Sequence, residues 1–458
     1  MPIVKNFVSK YLLLFLATLA TRFPFLSDGY GSEDDSWGLV LNARLMSETG
    51  EYSFSRLPGH PVQEYVLALM PDSGAFVMNL LSALFTALAV VVFADCLRLL
   101  KVQSYIAWAV ILSMIPIIYI SGTYTIDYNW GLAFILLSWN LFIRNKLIWC
   151  GLFLGLAIGC RVTSGAVLFG YILMLYSSNK SNLKPILILG LSTLLIGIIC
   201  YIPSIYTYGL SFFDTYRLPY PSIPKVIVKG SLGVWGFTGI IALIFIKLKF
   251  IKRQGLAFNT PEFKGAFLIL MLYTIAFVIL PQKSSFFIPA IPFVIYLAST
   301  VKLRKAELGF IGLMFFISPF TFGVNLNDSN RGASFSKLAI TAKVSGQEVF
   351  FDPLTGPIQI EQEKRVNRQK YIENSLVFYQ KLPLNSALLC GWWMNQFVEN
   401  VYQTTDNLNV VLVEFADPKQ LDSLQDLGYS IYHLIEIDKV NDERYGMTKT
   451  QEISKELK

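Results

Sequence analysis

The 458-residue chain is 54% hydrophobic and only 15% charged, whereas charged residues usually make up about a quarter of a soluble domain. That excludes a soluble globule and indicates a polytopic membrane protein. The formal charge of +7 does not point to nucleic acid, because Lys and Arg fall in short clusters between apolar runs, as on cytoplasmic loops. Cys96, Cys150, Cys160 and Cys200 lie in or at the ends of apolar runs and only Cys390 lies in the polar tail, so no disulfide framework is implied.

A helix needs roughly 20 apolar residues to cross the hydrocarbon core. About eleven transmembrane segments are expected: Tyr11 to Leu26 (an uncleaved first helix), Ala75 to Leu97, Tyr105 to Ile120, Trp130 to Ile143, Leu147 to Cys160, Val162 to Tyr176, Pro185 to Ile205, Ser231 to Ile246, Gly265 to Leu280, Ser285 to Val301 and Leu308 to Val324. Alternate connections then carry sixteen basic residues on one side and eight on the other. By the positive-inside rule the first set is cytoplasmic. The first outer loop (28–74), the Tyr206 to Lys229 loop and the polar tail therefore share the outer face. Three segments near Arg161 are short for a span, which suggests helices that end in a water-filled cavity. The chain divides into a transmembrane module, 1–324, and an extracytoplasmic α/β domain, 325–458. In the latter, Asn409 to Phe415 reads as a strand, Asp417 to Leu427 as an amphipathic helix stopped by Gly428, Ser430 to Ile437 as a second strand and Asn385 to Trp392 as a third.

Five features converge on the outer face. Glu33, Asp34 and Asp35 stand together just past the first span, where carboxylates are costly unless water, a cation or a reacting group satisfies them. Arg56 to Pro61 (RLPGHP) is a turn carrying His60. Asp127 precedes a span, Arg161 separates two spans, and Lys283 opens LPQKSSFFIPAIPF. Each has a plainer reading: the acids as caps of a helix from about Ser36 to Ser47, Asp127 as the N-cap of its span, Arg161 and Lys283 as snorkelling interfacial residues, and His60 as a turn residue bonded to backbone.

Together the set suits a lipid phosphate. Carboxylates at a membrane surface take a proton from a hydroxyl or hold a divalent cation, and Arg and Lys at the same polar edge bind phosphate. A sugar on a polyprenyl phosphate has a good leaving group that needs positive charge rather than a general acid. One carboxylate would act as base on the acceptor hydroxyl, with inversion at the anomeric carbon.

The order GSEDDSW, GEYSFSRLPGHPVQEY, GLAIGCRVTSG and KSSFFIPAIPF, over roughly Arg22 to Ser299, resembles the GT-C superfamily of polyprenyl-phosphate-sugar-dependent glycosyltransferases, which includes protein O-mannosyltransferases and lipid A aminoarabinose transferases. The resemblance implies a GT-C fold with a catalytic base among Glu33, Asp34 and Asp35, Asp35 favoured and Asp34 next. It gives the donor phosphate to Arg161 and Lys283, with Arg56 and His60 as weaker candidates. Asp127 is a further site candidate. A divalent cation, Mg or Mn, would sit on Asp34 and Asp35 if one is used, and some members of the superfamily need none. The expected partners are a polyprenyl-phosphate sugar, a glycan, glycolipid or protein acceptor of the cell envelope, and membrane lipids, with no nucleic acid. The expected location is a bacterial inner membrane with the site facing outward. A transporter or flippase for lipid-linked sugars and an envelope polysaccharide ligase or polymerase are the alternatives. No inverted repeat supports transport, and the outer loop from Tyr206 is only moderate in size.

Overall fold

The computed structural model describes residues 2–209, 220–252, 259–326, 336–344, 347–404, 410–414, 418–434 and 451–452. A helix occupies the greater part of every expected apolar segment, in the order α1 (Pro2–Arg22), α4 (Gly74–Leu99), α5 (Tyr105–Ser113) with α6 (Pro116–Ser121), α7 (Tyr128–Ile143), α8 (Leu147–Cys160), α9 (Ala166–Ser178), α10 (Lys184–Tyr208), α12 (Leu232–Lys252), α13 (Pro261–Ile279), α14 (Ile291–Ser299) and α15 (Lys305–Ile317). Between α1 and α4 lie α2 (Asp34–Thr49) and α3 (Pro61–Ala68), and α11 (Ile223–Gly230) precedes α12. Among the described residues, four helices are long and apolar enough to cross a membrane: Gly74–Leu99, Lys184–Tyr208, Leu232–Ile251 and Pro261–Ile279. The expected single span from Tyr105 is two helices. Pro116, which has no backbone N–H to give, sits in the first turn of α6 and forces the break.

The centre of the bundle is α4, α7 and α8, whose apolar faces bury Phe93, Trp130, Trp139 and Leu154 almost completely. Gly151, Gly155 and Gly159 form one small-residue stripe on α8. A Cβ on Gly155 would stand 2.5 Å from Ile196 Cβ of α10, so the two backbones approach as closely as they do only because no side chain intervenes. That contact fixes the end of α8, where Arg161 breaks the helix with extended φ −152° and ψ 116°. At the other end of α7, Asp95 accepts from Arg144 Nη2 and Arg98 Nη2 at 2.7 Å each and from Asn140 Nδ2 at 2.8 Å, tying α4 to α7. The two ends of α7 thus carry separate charge clusters, about 24 Å apart at 1.5 Å per residue.

After α15 come two sheets. β1 (Gly323–Leu326), β2 (Ile340–Val344) and β3 (Gln347–Asp352) are antiparallel in the order β1-β3-β2. The second is parallel, β4 (Ser386–Leu389), β5 (Val410–Val413), β6 (Ser430–His433) and β7 (Gln451–Glu452), in the order β5-β4-β6-β7. The sheet is flanked by α16 (Pro357–Tyr379), α17 (Met394–Thr404) and α18 (Pro418–Asp426), with Phe397, Leu388, Ile431 and Leu421 in one apolar cluster. Helix α18 connects β5 to β6, which are not neighbours: β4 lies between them, buried on both faces as a central parallel strand is. The antiparallel sheet and α16 have no counterpart in the sequence reading. Asp417, expected to open α18, and residues 210–219 of the Tyr206 loop lie outside the described residues.

Candidate active site

Helix α2 begins where Glu33 leaves extended geometry (φ −92°, ψ 139°), with Asp34 and Asp35 in its first turn, where the helix dipole favours negative charge. Glu33 makes no side-chain capping bond. All three acids reach for other partners instead, which replaces the capping reading. Lys283 Nζ donates to Glu33 Oε2 at 2.7 Å and also to Asp35. Arg56 stands between Asp35, 3.1 Å from its Oδ2, and Asp127. Arg161 Nη1 then donates to Asp127 Oδ2 at 2.7 Å. The result is an alternating chain of charge, Glu33, Lys283, Asp35, Arg56, Asp127 and Arg161, contributed by segments up to 250 residues apart.

Two plainer readings fail here. Asp127 stands at the N-cap position of α7 but makes no capping bond; its fully buried carboxylate holds Arg56 and Arg161 together. Arg161 does not snorkel. Its guanidinium lies 4.3 Å over the Tyr128 ring and 5.3 Å from that of Phe286, a stacking that suits a planar cation. Lys283 likewise turns into the network rather than away from it.

The Arg56 to Pro61 turn is held from below by Glu64 of α3. Its buried carboxylate accepts from Ser55 N (2.8 Å), Ser55 Oγ (2.7 Å), Tyr52 Oη (2.7 Å) and His60 N (2.9 Å). Burial pushes the Glu64 carboxyl up. Removing it orphans four donors, two buried and two partly buried, each buried one worth about 1–3 kcal/mol. Glu64→Ala is therefore expected to lower both the unfolding temperature in detergent and any activity that depends on Arg56. Glu64→Gln, which keeps an acceptor oxygen, should lose much less of each.

His60 sits at the end of this turn, 4% exposed. Its Nδ1 is 2.6 Å from Cys160 O, which only accepts, so the proton is on Nδ1 and Nε2 carries a lone pair. Burial lowers its pKa to about 4. A neutral ring offering a lone pair suits a sugar hydroxyl better than a phosphate oxygen. The backbone-bonded reading thus describes half of the ring, and Nε2 has no hydrogen-bond partner among the described residues.

Asp34 stands apart from the chain of charge. Its oxygens accept from Asn395, Oδ1 from the backbone N at 3.2 Å and Oδ2 from Nδ2 at 2.5 Å, and Asn395 belongs to the first turn of α17. Burial pushes the Asp34 carboxyl up to about 7 against the pull of Arg368. Asp35, flanked by Arg56 and Lys283, is held well below the usual carboxylate range despite burial. The C-terminal segment makes further contacts on this side. Arg44 pairs with Glu399 at 3.0 Å, Arg365 donates to Thr123 O and Oγ1 at 3.1 and 2.9 Å, and Arg368 donates to Ser32 O while stacking 4.2 Å over Trp393. Sequence reading missed Asn395, Arg365 and Arg368, because their partners lie 242 to 361 residues away. Glu64 had a local signal, an acid four residues after His60.

A divalent cation on Asp34 and Asp35 does not fit these side chains. Asp35 Oδ2 already faces two cations, Asp34 is turned toward Asn395, and no group of three metal-ligating side chains occurs among the described residues.

Four helices long and apolar enough to cross a membrane among the described residues, with a charge cluster at helix ends beside a small α/β segment, define a polytopic integral membrane protein. Over 98% of this chain and 90% of the other, the fold matches the crystal structure of ArnT from Cupriavidus metallidurans in the apo state, with a TM-score of 0.53 at 12% identity. No protein-family model and no curated protein matches the chain.

Proposed function

We propose that the protein is an inverting glycosyltransferase that moves a sugar from a polyprenyl-phosphate carrier to a hydroxyl acceptor of the cell envelope, on the extracytoplasmic face. The observation that carries this reading is the meeting of Arg161, Lys283 and Arg56 with three carboxylates at one end of the bundle, beside a fourth, Asp34, that has no cation bonded to it among the described residues. The GT-C fold shared with ArnT and the resemblance over Arg22 to Ser299 agree with it. In the same reading all eleven apolar segments cross the membrane, and the C-terminal segment faces outward with the site.

Asp34 suits the base better than Asp35. Two cations hold the Asp35 carboxylate ionised and weakly basic, whereas Asp34, among the described residues, accepts only from an amide and a backbone N–H, and burial pushes its pKa up to about 7, where a general base works best. This reverses the order that the sequence suggested. In the step, Asp34 takes the proton of the acceptor hydroxyl, the acceptor oxygen bonds to the anomeric carbon from the face opposite the phosphate, and the bond from that carbon to the phosphate oxygen breaks. The electron pair leaves on the polyprenyl phosphate. Lys283 uses two of its three N–H donors on Glu33 and Asp35, and Arg161 uses one nitrogen on Asp127, so both keep donors for the phosphate. Pairing with carboxylates keeps these cations from standing buried and uncompensated.

With a radiolabelled decaprenyl-phosphate monosaccharide in membranes, the label should become covalently attached to an acceptor. Arg161→Ala and Lys283→Ala should each raise the KM for the donor by about tenfold or more, equivalent to loss of one charge-assisted bond of about 1.5–3 kcal/mol. Movement of intact labelled lipid across the bilayer without transfer would favour the flippase alternative. An unchanged donor KM in both variants would put the phosphate site elsewhere.

A further inference from the structure

The C-terminal segment does more than cover the membrane part. Helix α17 lies along α2, and its first turn meets the turn of α2 that carries the acids. Gly38, one turn beyond Asp34, leaves the room: a Cβ there would come within 3.0 Å of Asn395 Nδ2. Asn395 reaches past it to bind both oxygens of Asp34, one with its backbone N–H and one with its side-chain amide. Two bonds to two oxygens fix the plane of the carboxylate, which a single bond does not do. Lower on the same pair of helices, Arg44 and Glu399 make an ion pair with two hydrogen bonds of 3.0 and 3.1 Å, so the two helices stay together without Asn395. The charged and titratable groups facing Asp34 are Arg368 of α16, Asp35 of α2 itself, Glu414 after β5 and Cys390 before α17.

We infer that Asn395 is a positioning residue, which orients the Asp34 carboxylate toward the acceptor hydroxyl so that the C-terminal segment completes the active site. This rests on the reading of Asp34 as base. The bland alternative is that Asn395 only helps glue α17 to α2, and Glu399 separates the two. If Asn395 orients the base, its loss lowers turnover and leaves the donor site alone, because Arg161 and Lys283 are bonded to Asp127, Glu33 and Asp35 and not to Asp34 or Asn395. If it is glue, breaking the neighbouring pair has the same effect.

The test uses the full chain in liposomes. It reads kcat for transfer from radiolabelled decaprenyl-phosphate monosaccharide to acceptors in added membrane extract, and the Kd for decaprenyl phosphate alone. Asn395→Ala is expected to lower kcat by about 10- to 100-fold, as misplacement of a catalytic group does, with the Kd within about twofold of the parent. Asn395→Ser, which shares the backbone N–H with Asn395→Ala but adds a short side-chain donor, should recover part of the loss, while Glu399→Gln should stay within about twofold in both measurements. Equal losses of kcat in Asn395→Ala and Glu399→Gln, or full turnover in Asn395→Ala, would overturn the role. Asp34→Asn in the same assay keeps the two questions apart: full activity there removes the base itself, whatever Asn395 does.

Discussion

Asp34→Asn is expected to lower sugar transfer by about 10²- to 10⁴-fold, the usual contribution of a positioned general base, and to leave donor binding intact. The isosteric amide keeps the size of the side chain and removes its ability to take a proton. The pH profile of the parent protein carries the same claim. Burial puts the Asp34 pKa near 7, and a base works only when deprotonated. Transfer should therefore rise as pH increases from about 5 to about 8, with its midpoint near 7, and be lost as pH falls through that window. A reaction based on Asp35 would show no such limb, because Arg56 and Lys283 keep Asp35 ionised far below this range. Initial rates between pH 5 and 8 decide between the two acids. A flat profile, or full activity in Asp34→Asn, would remove Asp34 from the chemistry.

The second large effect is on stability. Asp127 is fully buried and bonded to Arg56 and Arg161. Asp127→Asn leaves Arg161 without a compensating charge in a poorly hydrated site and Arg56 with Asp35 alone, a change that costs about 3–5 kcal/mol where a buried pair is broken from one side. The variant should unfold at a clearly lower temperature in detergent, as followed by its tryptophan fluorescence. Adding Arg161→Met should return part of that loss, because the stranded cation is then gone. A double variant less stable than Asp127→Asn by the full cost of Arg161→Met would mean that the two residues are not coupled.

The candidate site was legible where charge stands out against apolar sequence. Arg161 between two spans, Lys283 at the head of another and the run from Glu33 to Asp35 are costly in that setting, so each drew attention without knowledge of its partner. The structure brings these residues into contact. Capping was the wrong explanation for Asp127 because position at a helix start does not tell which way a carboxylate turns, and two arginines outcompete the backbone N–H groups for it. The order of Asp34 and Asp35 was not legible at all. It depends on which neighbour faces which oxygen, and those neighbours, Asn395 and Lys283, stand 361 and 248 residues away. In the C-terminal segment β4, β5 and β6 were readable from short apolar runs between turn residues, while α16 escaped notice because its apolar positions are diluted by charge. Arg365 of α16 is nevertheless buried against Thr123, so a polar helix became a seam between the two parts of the chain.

The most direct measurement is a cryo-EM map of the protein with a decaprenyl-phosphate monosaccharide bound. The phosphate is predicted to lie within hydrogen-bond distance of Arg161 and Lys283, with the anomeric carbon on the side from which Asp34 approaches. A donor phosphate seated away from both cations, with the chain from Glu33 to Arg161 unchanged and untouched, would contradict the account.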